Sequence, residues 1–227
     1  MEVNLSSEVV SMESAKNLVI VGAGMFAREV SWLVRDINQA QPGTWDMVGF
    51  WEHGTERIGQ LVHGIPIVDP RALEQYLPDL YAVAAIGDPA VRERAALEAE
   101  RFGCRFATLV HPSVYYDRHT VEINRGSIVC AGNILTVDIV VGSHVIINLD
   151  CTVGHDSVIE DYVTISPGCH LAGHTTIRRS ALLGSGVVTA EGCVIGAGSI
   201  IGAGAAVVRD IPAGVTALGI PAKPRGE

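Results

Sequence analysis

His155 and Asp156 stand side by side and have the chemistry of a proton-transfer pair. A neutral imidazole accepts a proton from an attacking hydroxyl or amine, and an adjacent carboxylate orients the ring or raises its basicity. Gly173 follows His155 by eighteen residues, and His174 follows Asp156 by the same interval. A backbone N–H at Gly173 is a donor of the kind that stabilises a developing oxyanion. Taken alone, His155 reads equally well as a solvated histidine and Asp156 as a surface turn carboxylate. A second group lies near the start, where Gly22-Ala-Gly24-Met25-Phe26-Ala27 has the form G-x-G-x-x-A. Glycines there let the backbone approach a ligand, and the N-terminus of a following helix holds a phosphate. The same turn also serves plain helix packing.

The interval of eighteen acquires meaning from the stretch Val141 to Pro212. It divides into twelve hexads whose first residues run from Val141 in steps of six to Val207, all aliphatic except Thr189. The fifth residues, from Val145 to Ile211, are uncharged and mostly small. A period of six is neither helical nor simple strand alternation and marks a parallel β-helix, with one short strand and one corner per hexad. Three hexads make a triangular coil, and coils stack at about 4.8 Å, so this stretch predicts a prism roughly 20 Å tall. Residues eighteen apart then share a corner or face, which puts Gly173 directly above His155 and His174 above Asp156. His155 is third in its hexad, at a corner outside the core. Cys151 and Cys169 are one coil apart and are expected to stack inside as small hydrophobes. From Val114 to Val140 the phase loosens; Ile128 and Ile134 are read as keeping it, with a one-residue slip near Val140.

Ahead of the prism, strands and helices alternate. Asn17 to Gly22 predicts a buried strand, followed by an amphipathic helix through Asp36. Trp45 to Trp51 predicts a second strand, Val62 to Val68 a short third, and Tyr81 to Ile86 a fourth. Asp69-Pro70 opens a helix near Arg71 to Tyr76, and Asp88-Pro89 caps one through Arg101. Arg105 to Leu109 closes the unit. This alternation predicts a small parallel, Rossmann-like α/β sheet. The expected organisation is a disordered leader over 1–16, a Rossmann-like domain over 17–110, and a β-helix domain with a C-terminal tail over 111–227, hinged at His111-Pro112-Ser113.

Composition narrows the function. The 227 residues carry a net charge of −9, which argues against nucleic acid as a partner. With 48% apolar residues a sizeable core is possible, yet no apolar run reaches the roughly 18 residues of a membrane span. The N-terminal sixteen residues have no apolar core of a signal peptide. Five cysteines without disulfide spacing suit a reducing cytoplasm.

Three segments carry a resemblance to a known family: GAGMFAREV at 22–30, NLDCTVGHDSVIEDYVTISPGCHLAG at 148–173, and GIPAKP at 219–224. With them the chain resembles the hexapeptide-repeat sugar acyltransferases related to the sialic acid O-acetyltransferase and the bacterial UDP-4-amino-sugar N-acetyltransferases, over about residues 17 to 224. The resemblance implies a left-handed β-helix, a homotrimer with active sites between neighbouring prisms, and acetyl transfer from acetyl-CoA to a nucleotide-linked sugar. It implies His155 as general base with Asp156 beside it, and a Gly173 N–H that contacts the acyl carbonyl. His174 and Lys223 are further candidates for acetyl-CoA, as is Arg225 in the tail. Nucleotide-sugar binding is assigned to Gly22, Gly24, Met25, Phe26, Glu52 and Asp88. No metal is expected. The chain departs from the family pattern in three places: Phe26 replaces a frequent histidine, Glu52-His53 an aspartate pair, and Thr164 a second histidine nine residues after the base. The main reading is N-acetylation of an amino sugar. O-acetylation is the alternative, followed by a zinc enzyme of the γ-carbonic-anhydrase type drawing on His155, His170 and His174, or a non-catalytic trimer that binds nucleotide sugars.

Overall fold

A computed structural model describes residues 14–225. Most of the expected leader therefore lies outside the described residues, and the first strand opens at Lys16. The N-terminal unit runs β1 (Lys16–Val21), α1 (Met25–Ala40), β2 (Trp45–Trp51), a hairpin of β3 (Leu61–Val62) and β4 (Ile65–Pro66), α2 (Pro70–Leu73), β5 (Leu80–Ala84), α3 (Pro89–Phe102) and β6 (Arg105–Phe106). The sheet order is β2-β1-β5-β6, and every pairing is parallel. Leu18 to Ile20 and Ala82 to Ala84 lose all contact with solvent, as strands covered on both faces must. Helix α1 buries Ala27, Val30, Leu33, Val34 and Ile37, the stripe its spacing predicts. Asp69 and Asp88 cap α2 and α3 by accepting from Arg71 N and Val91 N.

The segment read as a third strand is instead the β3–β4 hairpin, followed by a parallel bridge from Ile67 to Phe50. Its two-residue turn, His63-Gly64, has positive φ at both positions. That is the turn whose twist matches antiparallel strands.

The second unit is the predicted parallel β-helix. Thr152 pairs with His170 and Thr164 with Leu182, so the regular coils are eighteen residues. The register holds to Val207, after which Ile211 pairs with Ile195, sixteen residues back, and the twelfth hexad is two residues short. All twelve first-position residues and all twelve fifth-position residues of the hexads are buried. Corners fall in columns of left-handed backbone: Asp138, Asp156, His174 and Gly192 form one, and His144, Tyr162, Ser180 and Gly198 another. Cys151 and Cys169 sit inside the prism, and all five cysteines are free.

Two boundaries differ from expectation. Leu109–Val110 is already the first prism strand, β7, pairing with Ile128–Val129. The inward residues before Val141 are Ile123, Val129 and Leu135, in unbroken steps of six, so no slip occurs near Val140. The irregularity lies lower: Leu135 pairs with Tyr116, nineteen residues back, whereas Val141 pairs with Ile123, eighteen back. Ile128 and Ile134 face outward. Ile128 is nonetheless buried, because the α/β unit packs over the prism face that carries Ile128, Ile146 and Thr164. Ile200, higher on the same face, is half exposed. The two units share one apolar cluster in which Leu18, Ile20 and Ile67 join Ile128, Cys130 and Ile146.

Candidate active site

The corner after the strand Thr152–Val153 carries Gly154, His155 and Asp156. Gly154 has no room for a side chain, since a Cβ there would lie 2.5 Å from the backbone nitrogen of Gly173. Asp156 takes the left-handed conformation at φ 57°, a region aspartate tolerates better than most residues. That turn brings its carboxylate back onto the preceding ring: His155 Nδ1 lies 2.8 Å from Asp156 Oδ2. An ionised carboxylate only accepts, so Nδ1 carries the proton and Nε2 keeps a free lone pair. Both side chains are about half exposed, at 51% and 48%.

Gly173 lies one coil above. A Cβ on it would sit 2.6 Å from His155 Cε1 and 2.7 Å from Nε2, so the imidazole packs against the bare Cα. The Gly173 N–H donates to no group among the described residues. Next to it, His174 N donates to His155 O at 2.7 Å, locking the two corners together. His174 Nε2 stands 3.9 Å from Asp156 Oδ2, and the two imidazoles meet edge to face at 5.1 Å. One carboxylate thus lies between two histidines. The three also form the one group among the described residues with metal-ligand atoms close together, within 4.8 Å. His170 is not with them. It sits on a strand, its Nδ1 3.0 Å from Thr152 Oγ1.

Cys104 and Cys130 are not poised as nucleophiles. Burial pushes Cys104 up to about 11 and Cys130 up to about 12, leaving both protonated near neutrality.

At the C-terminal ends of β1, β2 and β5 a cavity of about 550 Å³ opens, lined by Gly22, Trp51, Glu52, His53, Ile86 and Arg94 among others. Gly22 has φ +104°, which favours glycine, and a Cβ would press on Ile86 at 3.2 Å. A neighbouring cavity of about 450 Å³ is lined by Gly24, Met25, Arg28, Arg57 and His63. Gly24 precedes α1, and a Cβ on it would meet nothing within 4 Å. Within the protein alone nothing requires glycine there. Glu52 pairs with Arg57 at 2.9 Å.

Of the residues assigned to nucleotide sugar, Gly22 and Glu52 line the first cavity and Gly24 and Met25 the second. The other two do not. Phe26 packs against the α/β core, and Asp88 is occupied as the cap of α3. Thr164 is turned toward the α/β unit, where its hydroxyl donates to Gly87 O. Lys223 pairs with Leu218 at the top of the prism, coils away from His155 in the same chain.

Comparison with known proteins adds to this geometry. The family described as the PglD N-terminal domain matches residues 17–98. The GDP-perosamine N-acetyltransferase of Escherichia coli O157:H7 is 32% identical over 212 residues, covering 90% of this chain and 94% of that protein. The chain belongs to the hexapeptide-repeat sugar acyltransferases. As a member of that family it is an acyltransferase, and its β-helix is left-handed. Solved relatives agree along the whole fold. PerB from Caulobacter crescentus, in complex with CoA and GDP-perosamine, superposes with a TM-score of 0.83 at 31% identity, covering 92% of this chain and 97% of PerB. The acetyltransferase domain of PglB from Neisseria gonorrhoeae, in complex with acetyl coenzyme A, gives 0.82 at 30% identity, covering 93% of this chain and 100% of that domain.

Proposed function

We propose that the chain transfers the acetyl group of acetyl-CoA to the amine of a nucleotide-linked amino sugar. The observation that carries the chemistry is the His155–Asp156 hydrogen bond, which commits Nδ1 as donor and leaves Nε2 free beside Gly173. The neutral sugar amine attacks the thioester carbonyl carbon, and His155 Nε2 takes the proton the nitrogen sheds. The Gly173 N–H donates to the carbonyl oxygen as negative charge develops there. The carbon–sulfur bond then breaks, and the CoA thiolate leaves and takes up a proton. No cysteine nucleophile enters, because the amine attacks directly. Asp156 holds the imidazole tautomer and stabilises the cation formed during transfer.

The sugar nucleotide fits the cavities at the ends of β1, β2 and β5, where Gly22 and Gly24 leave the backbone open and α1 presents its N-terminus. Two of the three named relatives act on or bind GDP-perosamine, which makes GDP-linked amino sugars the first class to test. The assembly we propose is a homotrimer, since a CoA molecule about the prism corner needs a second surface to enclose it. No helix of the described residues is long and apolar enough to cross a membrane, and we place the enzyme in the cytoplasm with its soluble co-substrates.

The test is release of CoA thiol from acetyl-CoA with GDP-, UDP-, dTDP- and CMP-linked amino sugars, each run beside its hydroxyl analogue. Turnover of an amine and not of its hydroxyl analogue supports the reading; the reverse favours O-acetylation. Full activity after chelator treatment separates this reaction from a zinc enzyme using the same corner. Light scattering should give three times 24.0 kDa.

A further inference from the structure

Arg92 lies on α3 and has no exposed surface. A fully buried guanidinium is costly unless its donors are met. Here they are met across the junction of the two units. Nε donates to His144 O at 2.9 Å, and Nη2 to Tyr162 O at 2.6 Å and Val163 O at 3.1 Å, all on the prism. Nη1 donates to Ile86 O at 2.7 Å and Gly87 O at 3.1 Å, on the loop after β5, and to Thr164 Oγ1 at 2.8 Å. The Thr164 hydroxyl in turn donates to Gly87 O at 2.7 Å, closing the network. Burial lowers the guanidinium to about 10, against the opposing pull of Asp88, so it stays charged near neutrality.

The location of this network is what gives it a role beyond stability. Ile86, at one end, is a wall of the 550 Å³ cavity, and so are Val91, Arg94, Ala95 and Glu98 of the same helix. At the other end, Tyr162 to Thr164 belong to the coil that begins its preceding corner with His155. Helix α3 therefore presents one face to the cavity and is bolted through Arg92 to the catalytic coil. Whichever prism receives the sugar, the offset of the cavity from it is set by this joint, because the prisms define the assembly and the α/β unit is mounted on its own prism.

Resting on the proposed function, we propose that Arg92 and Thr164 form a positioning clamp that sets the nucleotide-sugar cavity at the working distance from the acetyl-transfer corner. A displacement of about 1 Å at such a joint costs on the order of 10²-fold in rate. The proposed acetyl-transfer corner of His155 and Gly173 is built from prism residues, so acetyl-CoA binding is expected to change little when the joint is altered.

The variants are Thr164→Val, which removes only the bridging hydroxyl, Arg92→Met, and Arg92→Lys. Kinetics are measured with both substrates. A second readout is the distance between spin labels at Gln75→Cys in the α/β unit and Arg209→Cys on the prism, in spin-diluted assemblies; the five native cysteines are buried. Expected for Thr164→Val is about tenfold lower kcat/KM for the nucleotide sugar, and for Arg92→Met about 10²-fold, with acetyl-CoA KM within about twofold of wild type. Arg92→Lys should recover part of the loss, since an ammonium keeps the charge but cannot span the same fork of acceptors. The label distance should shift or broaden in the same order. The clamp is refuted if folded Thr164→Val matches wild type in both readouts, or if it changes the two substrate KM values equally. Loss of thermal stability alone, with wild-type kinetics and distances, also refutes it. Should Arg92→Met fail to fold, Thr164→Val decides. If wild type acetylates no nucleotide amino sugar, the proposed function fails, and the label distances still decide whether the joint sets the offset.

Discussion

Gly173→Ala separates the geometry of the base from the stability of the fold. A methyl group on Gly173 would lie 2.6 Å from Cε1, 2.7 Å from Nε2 and 3.0 Å from Nδ1 of His155. Favourable carbon contacts begin near 3.5 Å, so the ring must retreat by about 1 Å. The backbone of Gly173 is not in the left-handed region, and alanine is conformationally compatible there. The ring is half exposed and free to swing toward solvent, so the clash is relieved without moving the prism. Replacing glycine also reduces the freedom of the unfolded chain, worth about 0.4–1 kcal/mol in favour of folding. The melting temperature should therefore hold or rise slightly. Catalysis should not hold, because the retreat breaks the 2.8 Å bond to Asp156 and moves Nε2 off the line of attack. A misplacement of that size predicts a fall in kcat of about 10²-fold. Steady-state thiol release gives kcat, calorimetry gives stability, and a crystal structure of the variant locates the ring. Should the ring be displaced while kcat stays within about twofold of wild type, the position of His155 against Gly173 is not what the reaction uses.

Four further outcomes follow from neighbouring features. Gly154→Ala meets backbone instead of a mobile ring, at 2.5 Å from Gly173 N, and should lower stability by about 1–3 kcal/mol in urea titration. His155→Ala should lower kcat by about 10²–10⁴-fold with little change in acetyl-CoA affinity, and Asp156→Asn should cost less; near-wild-type turnover by a folded His155→Ala would make the histidine a solvated corner residue. A Cβ on Gly24 meets nothing within 4 Å, so Gly24→Val should raise the KM for the sugar nucleotide far more than that for acetyl-CoA, with stability lowered by no more than about 1 kcal/mol for the loss of a favourable N-cap residue. His144 is buried between Phe106 and Tyr162 with Nδ1 unpartnered, and burial, aided by Arg125 and Arg92, lowers it to about 4. Its folded value lies below the unfolded one near 6.5, so its contribution is complete above pH 6.5 and is lost as pH falls toward 4, by about 3 kcal/mol in all. Urea midpoints at pH 7 and pH 5 measure that slope, and His144→Asn should flatten it.

The prism was legible because its constraint is local and repeated: each inward position admits only an aliphatic or small residue, and the chain states this twelve times. The corner chemistry followed by arithmetic, since eighteen residues return to the same corner. The phase before Val141 was misread where Ile128-Val129 and Ile134-Leu135 put two aliphatic residues together. Nothing local distinguishes the inward member when the outward one is also apolar, and Ile128 is apolar because another unit covers it. The β3–β4 hairpin did leave a signal in His63-Gly64, a turn pair sitting inside what read as one extended run. Arg92 left none. An arginine on an amphipathic helix reads as solvent-facing, and its prism acceptors lie 52 to 72 residues away in sequence.

The eighteen-residue register also limits how such a chain can change length. A single residue inserted within a strand would turn the inward side chain after it outward unless the next corner absorbed it, whereas a whole inserted coil leaves all of them in place. Two irregularities are tolerated, one at each end of the prism: one extra residue between Tyr116 and Ile123 in the first coil, and two residues fewer between Val207 and Ile211, which pairs with Ile195 sixteen residues back. Between them the molecule grows by whole layers, as a crystal does. The separation between the His155 corner and the C-terminal tail is therefore quantised in steps of about 4.8 Å. A prism of this kind adjusts its reach along an extended co-substrate by counting coils, and the corner that carries the base is left undisturbed at each step.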